Sequence, residues 1–202
     1  MGIPVMILGE SGSGKSASMR NFQPGEIQVF NVANKPLPFR GGNKHDIVPN
    51  AGYRAIYAEL QSPKYKRYAI DDSLYLMCFE AFSKAKEIGY QKYSDMAIHF
   101  YNLVKLSIAA PDDVIVYFLH HTDMLESGKI KAKTLGKMLD NQLTLEGLFS
   151  IVLLCRTDGS THHFITQSDG MTTVKSPMGM FDLVIDNDLK MVDDAIRNYY
   201  EI

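Results

Sequence analysis

The sequence predicts an α/β fold: a mainly parallel sheet flanked by helices, with an antiparallel hairpin at one edge. Three observations predict it. Apolar strand-like runs alternate with helix-period segments over the first two-thirds of the chain, the order that builds a parallel sheet with right-handed crossovers. One such run, Val114–Leu119 (VIVYFL), is almost continuously apolar, as a central strand covered on both faces must be. Near the end, Thr157-Asp158-Gly159-Ser160-Thr161 separates two strand-like runs and carries an Asp-Gly hairpin signal. At 202 residues, 46% of them hydrophobic, the chain suits one domain spanning 1–202 with a substantial core.

Each element follows from its local pattern. Ile3-Pro4-Val5-Met6-Ile7-Leu8 is the first strand, and Lys15-Ser16-Ala17-Ser18-Met19 opens a helix after a glycine-rich turn. Ile27–Val32 (IQVFNV) alternates and gives the second strand. Asn34–Asn50, rich in Pro, Gly, Lys and Asn, reads as a long irregular loop, a type that is often functional. Residues 52–61 predict a short amphipathic helix, and Lys66–Asp72 (KRYAIDD) a short buried strand ending in two acids. Ser73 would cap a helix with Leu74, Met77, Cys78, Ala81 and Phe82 on its buried face. Ser94–Ala110 spaces Met96, Phe100, Val104 and Ile108 as a helix does. After VIVYFL come a polar stretch, Thr122–Lys133, and a helix or turn near Leu135–Leu145. Ser150–Arg156 and His162–Gln167 are the hairpin strands, and Asp188 caps a closing helix that runs to Tyr200.

Between the first strand and the first helix, Gly9–Ser16 reads GESGSGKS, a full match to G-x-x-x-x-G-K-[ST]. Strand, loop and helix start are the context in which this pattern cradles phosphate. Gly9, Gly12 and Gly14 permit torsions that turn successive N–H groups inward, and a helix N-terminus adds positive charge. The nucleotide-binding candidates are therefore Gly9, Glu10, Ser11, Gly12, Ser13, Gly14, Lys15, Ser16 and Ala17. Lys15 would reach the β- and γ-phosphates of ATP, and the Ser16 hydroxyl would ligate Mg²⁺.

Asp71 and Asp72 end an apolar strand at the sheet end where α/β ligands bind. Asp71 is the second candidate metal ligand, and Asp72 the candidate general base that polarises water. Two alternatives stay open: Asp72 as a mere helix cap, and Glu10 as the group that orients water. His120 and His121 follow VIVYFL and point to opposite faces, so only one serves the site; His121 is carried as the sensor of the γ-phosphate. A satisfied structural histidine is the competing account. Lys175 and Lys133 are candidates for a cation supplied to a neighbouring subunit, against the plainer reading of solvated surface lysines. Cys78 and Cys155 are far apart and lack metal-ligand spacing, so they read as reduced core thiols. A net charge of -2 excludes a histone-like binder of nucleic acid. No apolar run approaches a membrane span, and the first strand and loop stand where a secretory leader would.

The first strand with GESGSGKS, NVANKPLPF, YAIDDSLYL, the strand ending in His120-His121, and the hairpin leading to VKSPMGMFDLVIDNDL resemble bacteriophage nucleotide-binding proteins. These are small RecA-like P-loop NTPases, some of them recombinases or single-strand annealing proteins. The resemblance runs over most of the chain. It implies a Mg²⁺-dependent ATPase that assembles into a ring or filament, with ATP at subunit interfaces and Lys175 as the neighbour's cation. It also implies residence in the cytoplasm, that of the host for a phage protein. Two positions depart from the RecA-like pattern. A histidine replaces the usual glutamine at the strand end, and FNVANK has no acid where a catalytic glutamate belongs.

The expected function is thus ATP binding and hydrolysis in DNA recombination or replication, with single-stranded DNA along an oligomer. Lys35, Arg40, Lys44 and His45 of the long loop, and Ser127–Lys133, are the DNA-contact candidates. Two rivals remain. One is an ATP-gated switch without turnover. The other is a nucleotide kinase, disfavoured because the six arginines are scattered rather than clustered for a phosphoryl clamp.

Overall fold

Alternate residues of each central strand enter opposite cores. In the computed structural model, which describes residues 1–89, 91–136 and 143–202, β1 (Ile3–Gly9) sends Met6 and Leu8 into one cluster and Val5 and Ile7 into the other. β5 (Ile115–Met124) does the same, with Val116 and Phe118 on one side and Ile115, Tyr117 and Leu119 on the other. Burial on both faces of a period-two strand requires apolar residues at every position, which explains the unbroken runs.

The described strands form one nine-stranded sheet. β2 (Gln28–Asn31), β3 (Asp46–Pro49), β4 (Arg67–Asp71) and β7 (Ile151–Asp158) join β1 and β5 in the parallel order β3-β2-β4-β5-β1-β7. β8 (Thr161–Ile165) and β9 (Val184–Asp186) extend it antiparallel beyond β7. β6 (Ile130–Ala132) folds back on the far end of β5. One face carries α1 (Tyr53–Gln61), α2 (Leu74–Ser83) and α3 (Gln91–Ala109). The other carries α4 (Leu189–Tyr200) and a six-residue 3-10 helix, Ser16–Asn21. The architecture is α/β: a mostly parallel mixed sheet between helices, with an antiparallel edge. No helix among the described residues is long and apolar enough to cross a membrane.

Several expectations need correction. The helix after the glycine-rich turn is 3-10, not α. Ser18 Oγ donates to the Lys15 carbonyl, a local bond that competes with the α-helical ladder. The long loop is not wholly irregular, because Gly42–Lys44 form a 3-10 turn and β3 follows, adding a parallel edge strand against β2. Ser73 sits at the start of α2 without a side-chain cap bond; its hydroxyl is 3.2 Å from the Leu119 carbonyl and 2.8 Å from His120 Nδ1. Phe82 is 77% exposed, and Leu76 is buried on α2 instead. β5 runs on to Met124, so His120 and His121 lie within a strand and Thr122–Lys133 is mostly the β5–β6 hairpin. The helix or turn expected near Leu135–Leu145 lies largely outside the described residues, since 137–142 are not among them. Asp188 does cap α4, its carboxylate accepting from the Lys190 and Met191 amides.

Candidate functional site

β5 lies between β1 and β4 in the sheet, so the loop leaving β1 and the acids ending β4 meet across its end. The loop is pinned from the other side. The Ser13 carbonyl accepts from Cys155 Sγ of β7 and from His162 Nδ1 of β8, each at 2.8 Å. Asn187 Nδ2 donates to the same sulfur at 3.0 Å. Burial pushes the Cys155 thiol up to about 11, so it remains a protonated donor. Gly14, at φ 101°, passes so close to His162 that a Cβ there would stand 2.9 Å from the imidazole.

Lys15 is buried beneath the loop, and its Nζ donates to the Gly9 and Glu10 carbonyls, each at 2.8 Å. Burial lowers its pKa, against the raising effect of the nearby Asp72. Ser16 Oγ donates to Asp71 Oδ1 at 2.6 Å. Burial raises the Asp71 carboxyl, and the Ser16 hydroxyl opposes that shift. Asp72 occupies the left-handed region, at φ 61°, an uncommon conformation for a residue with a side chain. Lys35 Nζ lies 2.5 Å from its Oδ2, and His121 Nε2 donates to its Oδ1 at 3.1 Å. Burial pushes Asp72 up, but the His121 and Lys35 hydrogen bonds outweigh it and hold the carboxyl below its ordinary range.

Lys15, Ser16, Lys35, Asp71, Asp72 and His121 line a single cleft of about 390 Å³, which also includes Ala17 and His162. No group of three or more His, Cys, Asp or Glu among the described residues could hold a metal ion. That fits Mg²⁺, which takes one or two protein oxygens and completes its shell with water and phosphate; Ser16 Oγ and Asp71 Oδ1 are the oxygens that would hold it. The buried ammonium of Lys15 and the tight passage at Gly14 fit a phosphate chain. The helix dipole expected there is weak, because the helix is short and 3-10.

No protein-family model matches the chain. No curated protein matches its sequence at a significant level. The residues of the cleft therefore carry the functional argument.

The structure separates the two histidines. His121 lines the cleft, whereas His120 is fully buried, with Nε2 donating to the Lys133 carbonyl at 2.7 Å and Nδ1 beside Ser73 Oγ. Burial pushes His120 down to about 4, so it is a neutral structural group. Glu10 lines two neighbouring grooves with Thr122 and Ile130, which leaves Asp72 as the carboxylate in the main cleft beside Asp71. Ser11 and Gly12 line the cleft at its rim. Lys175 pairs with Val152 of β7, which lies opposite Met6 of β1 and so well before the glycine-rich loop. It does not line the cleft of its own chain. Lys133 lines the adjacent groove, its backbone tied to both His120 and His121.

Two site residues escaped the sequence reading. Lys35 reads as part of a polar loop suited to DNA contact, yet its ammonium enters the cleft. The signal was Asn31, a buried asparagine at a strand end, which is a common way to fix a following turn. His162 reads only as the first residue of a hairpin strand, and the sequence holds no sign that β8 brings it against the Ser13 carbonyl.

Proposed function

We propose that the chain binds ATP with Mg²⁺ in this cleft and hydrolyses it slowly, as a P-loop NTPase of RecA-like type. The Ser16–Asp71 hydrogen bond carries the reading, since it couples the last residue of the phosphate-loop pattern to the acid expected to share its metal. Lys15 would bind the β- and γ-phosphates and the loop amides would wrap them. Mg²⁺ would supply charge neutralisation between the phosphate oxygens. Asp72 would accept a hydrogen bond from the attacking water, with His121 orienting the carboxylate. Because the His121 hydrogen bond lowers the pKa of Asp72, the carboxylate is a weak base, and turnover is expected to be low.

The same weak base is compatible with a second reading, a switch that changes shape on ATP binding without cycling. The kinase reading loses ground: among the described residues no arginine lines the cleft, while Arg67 and Arg197 are engaged with Asp193 and Arg20 with the Asn187 carbonyl. Action in phage DNA recombination, on single-stranded DNA and as an oligomer, rests on the family resemblance and on the exposed Arg40 and Lys44.

The test is ATP hydrolysis with and without single-stranded DNA, with Lys15→Ala as the blank. DNA-stimulated turnover that disappears in the variant supports the recombination ATPase. Bound nucleotide with no turnover supports the switch, and stimulation by a nucleoside monophosphate instead of DNA supports a kinase.

A further inference from the structure

We infer that Lys35 is a phosphate-binding cation supplied by the same chain, held by Asp72 and transferred to the terminal phosphate when a triphosphate enters. The inference rests on the triphosphate reading above and deepens it.

Lys35 is placed rather than left loose. The buried Asn31 side chain, at the end of β2, donates from Nδ2 to the Lys35 carbonyl at 2.6 Å and accepts from the Lys35 amide at 3.2 Å. Asn34 turns the chain at φ 53°. The side chain then runs past the Tyr75 ring, 5.8 Å from Nζ to centroid, and ends on Asp72 Oδ2.

Each group in the cleft that would bind a nucleotide is capped by an internal partner. Lys15 is held by two carbonyls, Ser16 by Asp71 and Lys35 by Asp72. Such a cleft receives a ligand by exchanging partners. The Lys35–Asp72 pair exchanges most easily, because the lysine side chain is 59% exposed and the aspartate 6%. An ion pair with one end in water contributes little to stability, so the Lys35–Asp72 pair can be broken at low cost. Asp72 can release Lys35 without becoming an orphan, because His121 stays bonded to its other oxygen. The flexible stem of lysine swings a compact charge over several ångströms, which suits delivery to a phosphate oxygen. The two lysines and two aspartates of the cleft balance in charge, and transfer of Lys35 to the ligand leaves Asp72 bonded to His121 alone.

The deciding experiment measures binding of a non-hydrolysable ATP analogue and of ADP, both with Mg²⁺, to the unmodified chain, Lys35→Met, Asp72→Asn and Lys15→Ala. Lys35→Met should weaken the triphosphate about tenfold or more and leave ADP unchanged. Asp72→Asn frees the lysine and should increase the preference for triphosphate over diphosphate, and Lys35→Arg should retain that preference. Opposite signs for the Lys35→Met and Asp72→Asn effects distinguish ligand transfer from a structural pair, which would give the same sign. An equal loss for both nucleotides in Lys35→Met, or no loss, overturns the inference. Absence of binding by the unmodified chain overturns the reading of the cleft and this inference with it. Binding that is lost only in Lys15→Ala, with Lys35→Met silent, overturns the inference alone. Thermal melting of each variant confirms that the exposed Lys35 can be replaced without loss of the fold.

Discussion

Ser16 Oγ and Asp71 Oδ1 are 2.6 Å apart, although β5 separates β4, which ends in Asp71, from β1, whose following loop leads to Ser16. The pair joins the end of the glycine-rich loop to the sheet, and it is where the proposed Mg²⁺ would be held. Ser16→Ala leaves the Asp71 carboxylate buried without that partner. Its expected effect is a ten- to hundredfold loss of the Mg²⁺-dependent part of ATP affinity, the range for removing a hydrogen bond to a charged group. Titration calorimetry with and without Mg²⁺ checks this, and an equal loss in the two conditions would count against a metal role.

Gly14 is a second point of leverage. An alanine there must hold φ near 101° and press its Cβ on the His162 ring. Gly14→Ala should cost about 1–3 kcal/mol from backbone strain and abolish tight nucleotide binding. At Gly12, φ 82°, a Cβ meets nothing within 4 Å. Gly12→Ala should therefore carry backbone strain alone. Chemical denaturation and nucleotide titration of the two variants, side by side, separate strain from collision.

The fully buried Asp193 accepts from Arg67 Nε at 2.6 Å, Arg197 Nε at 2.8 Å and Tyr117 OH at 2.9 Å. Asp193→Ala strands two guanidinium groups and should cost about 3–5 kcal/mol in urea unfolding. Nucleotide affinity of the folded protein should not change, because this network lies on the α4 side of the sheet, away from the cleft. A loss of affinity at full folding would show that the two regions are coupled.

His120 makes a prediction about acid. Burial holds it neutral in the folded chain down to about pH 4, whereas its ordinary pKa is 6.5. The unfolded chain takes up the proton first as pH falls, so the folded state is increasingly disfavoured through that window. Stability from this group is complete above pH 6.5 and declines toward pH 4, by on the order of 3 kcal/mol in all. His120→Gln should flatten the melting temperature against pH between those limits. An unchanged slope would place the acid sensitivity elsewhere.

Much of the site was legible in the sequence because local chemistry dictates it. The apolar run before GESGSGKS could only be a buried strand, and the pair of acids after KRYAI could only lie at a strand end. Those two facts brought Lys15, Ser16, Asp71 and Asp72 to one end of one sheet. The Asp188 cap and the Asp-Gly turn were equally local, and both formed as expected.

What the sequence could not supply was phase and approach. VIVYFL is buried on both faces, so its hydropathy carries no alternation to say which of His120 and His121 faces the cleft. The pairing of β5 with β1, Leu8 opposite His120 and Gly9 opposite His121, decided that. Lys35 is a polar residue in a polar loop until β2 and β4 pair, when Asn31 comes opposite Asp71 and the lysine is turned toward Asp72. His162 likewise gained its place only when the edge hairpin folded back under the loop. Local sequence determined which polar and charged groups stand at the ends of the strands. Strand register, which depends on residues far apart in the chain, decided which of those groups meet.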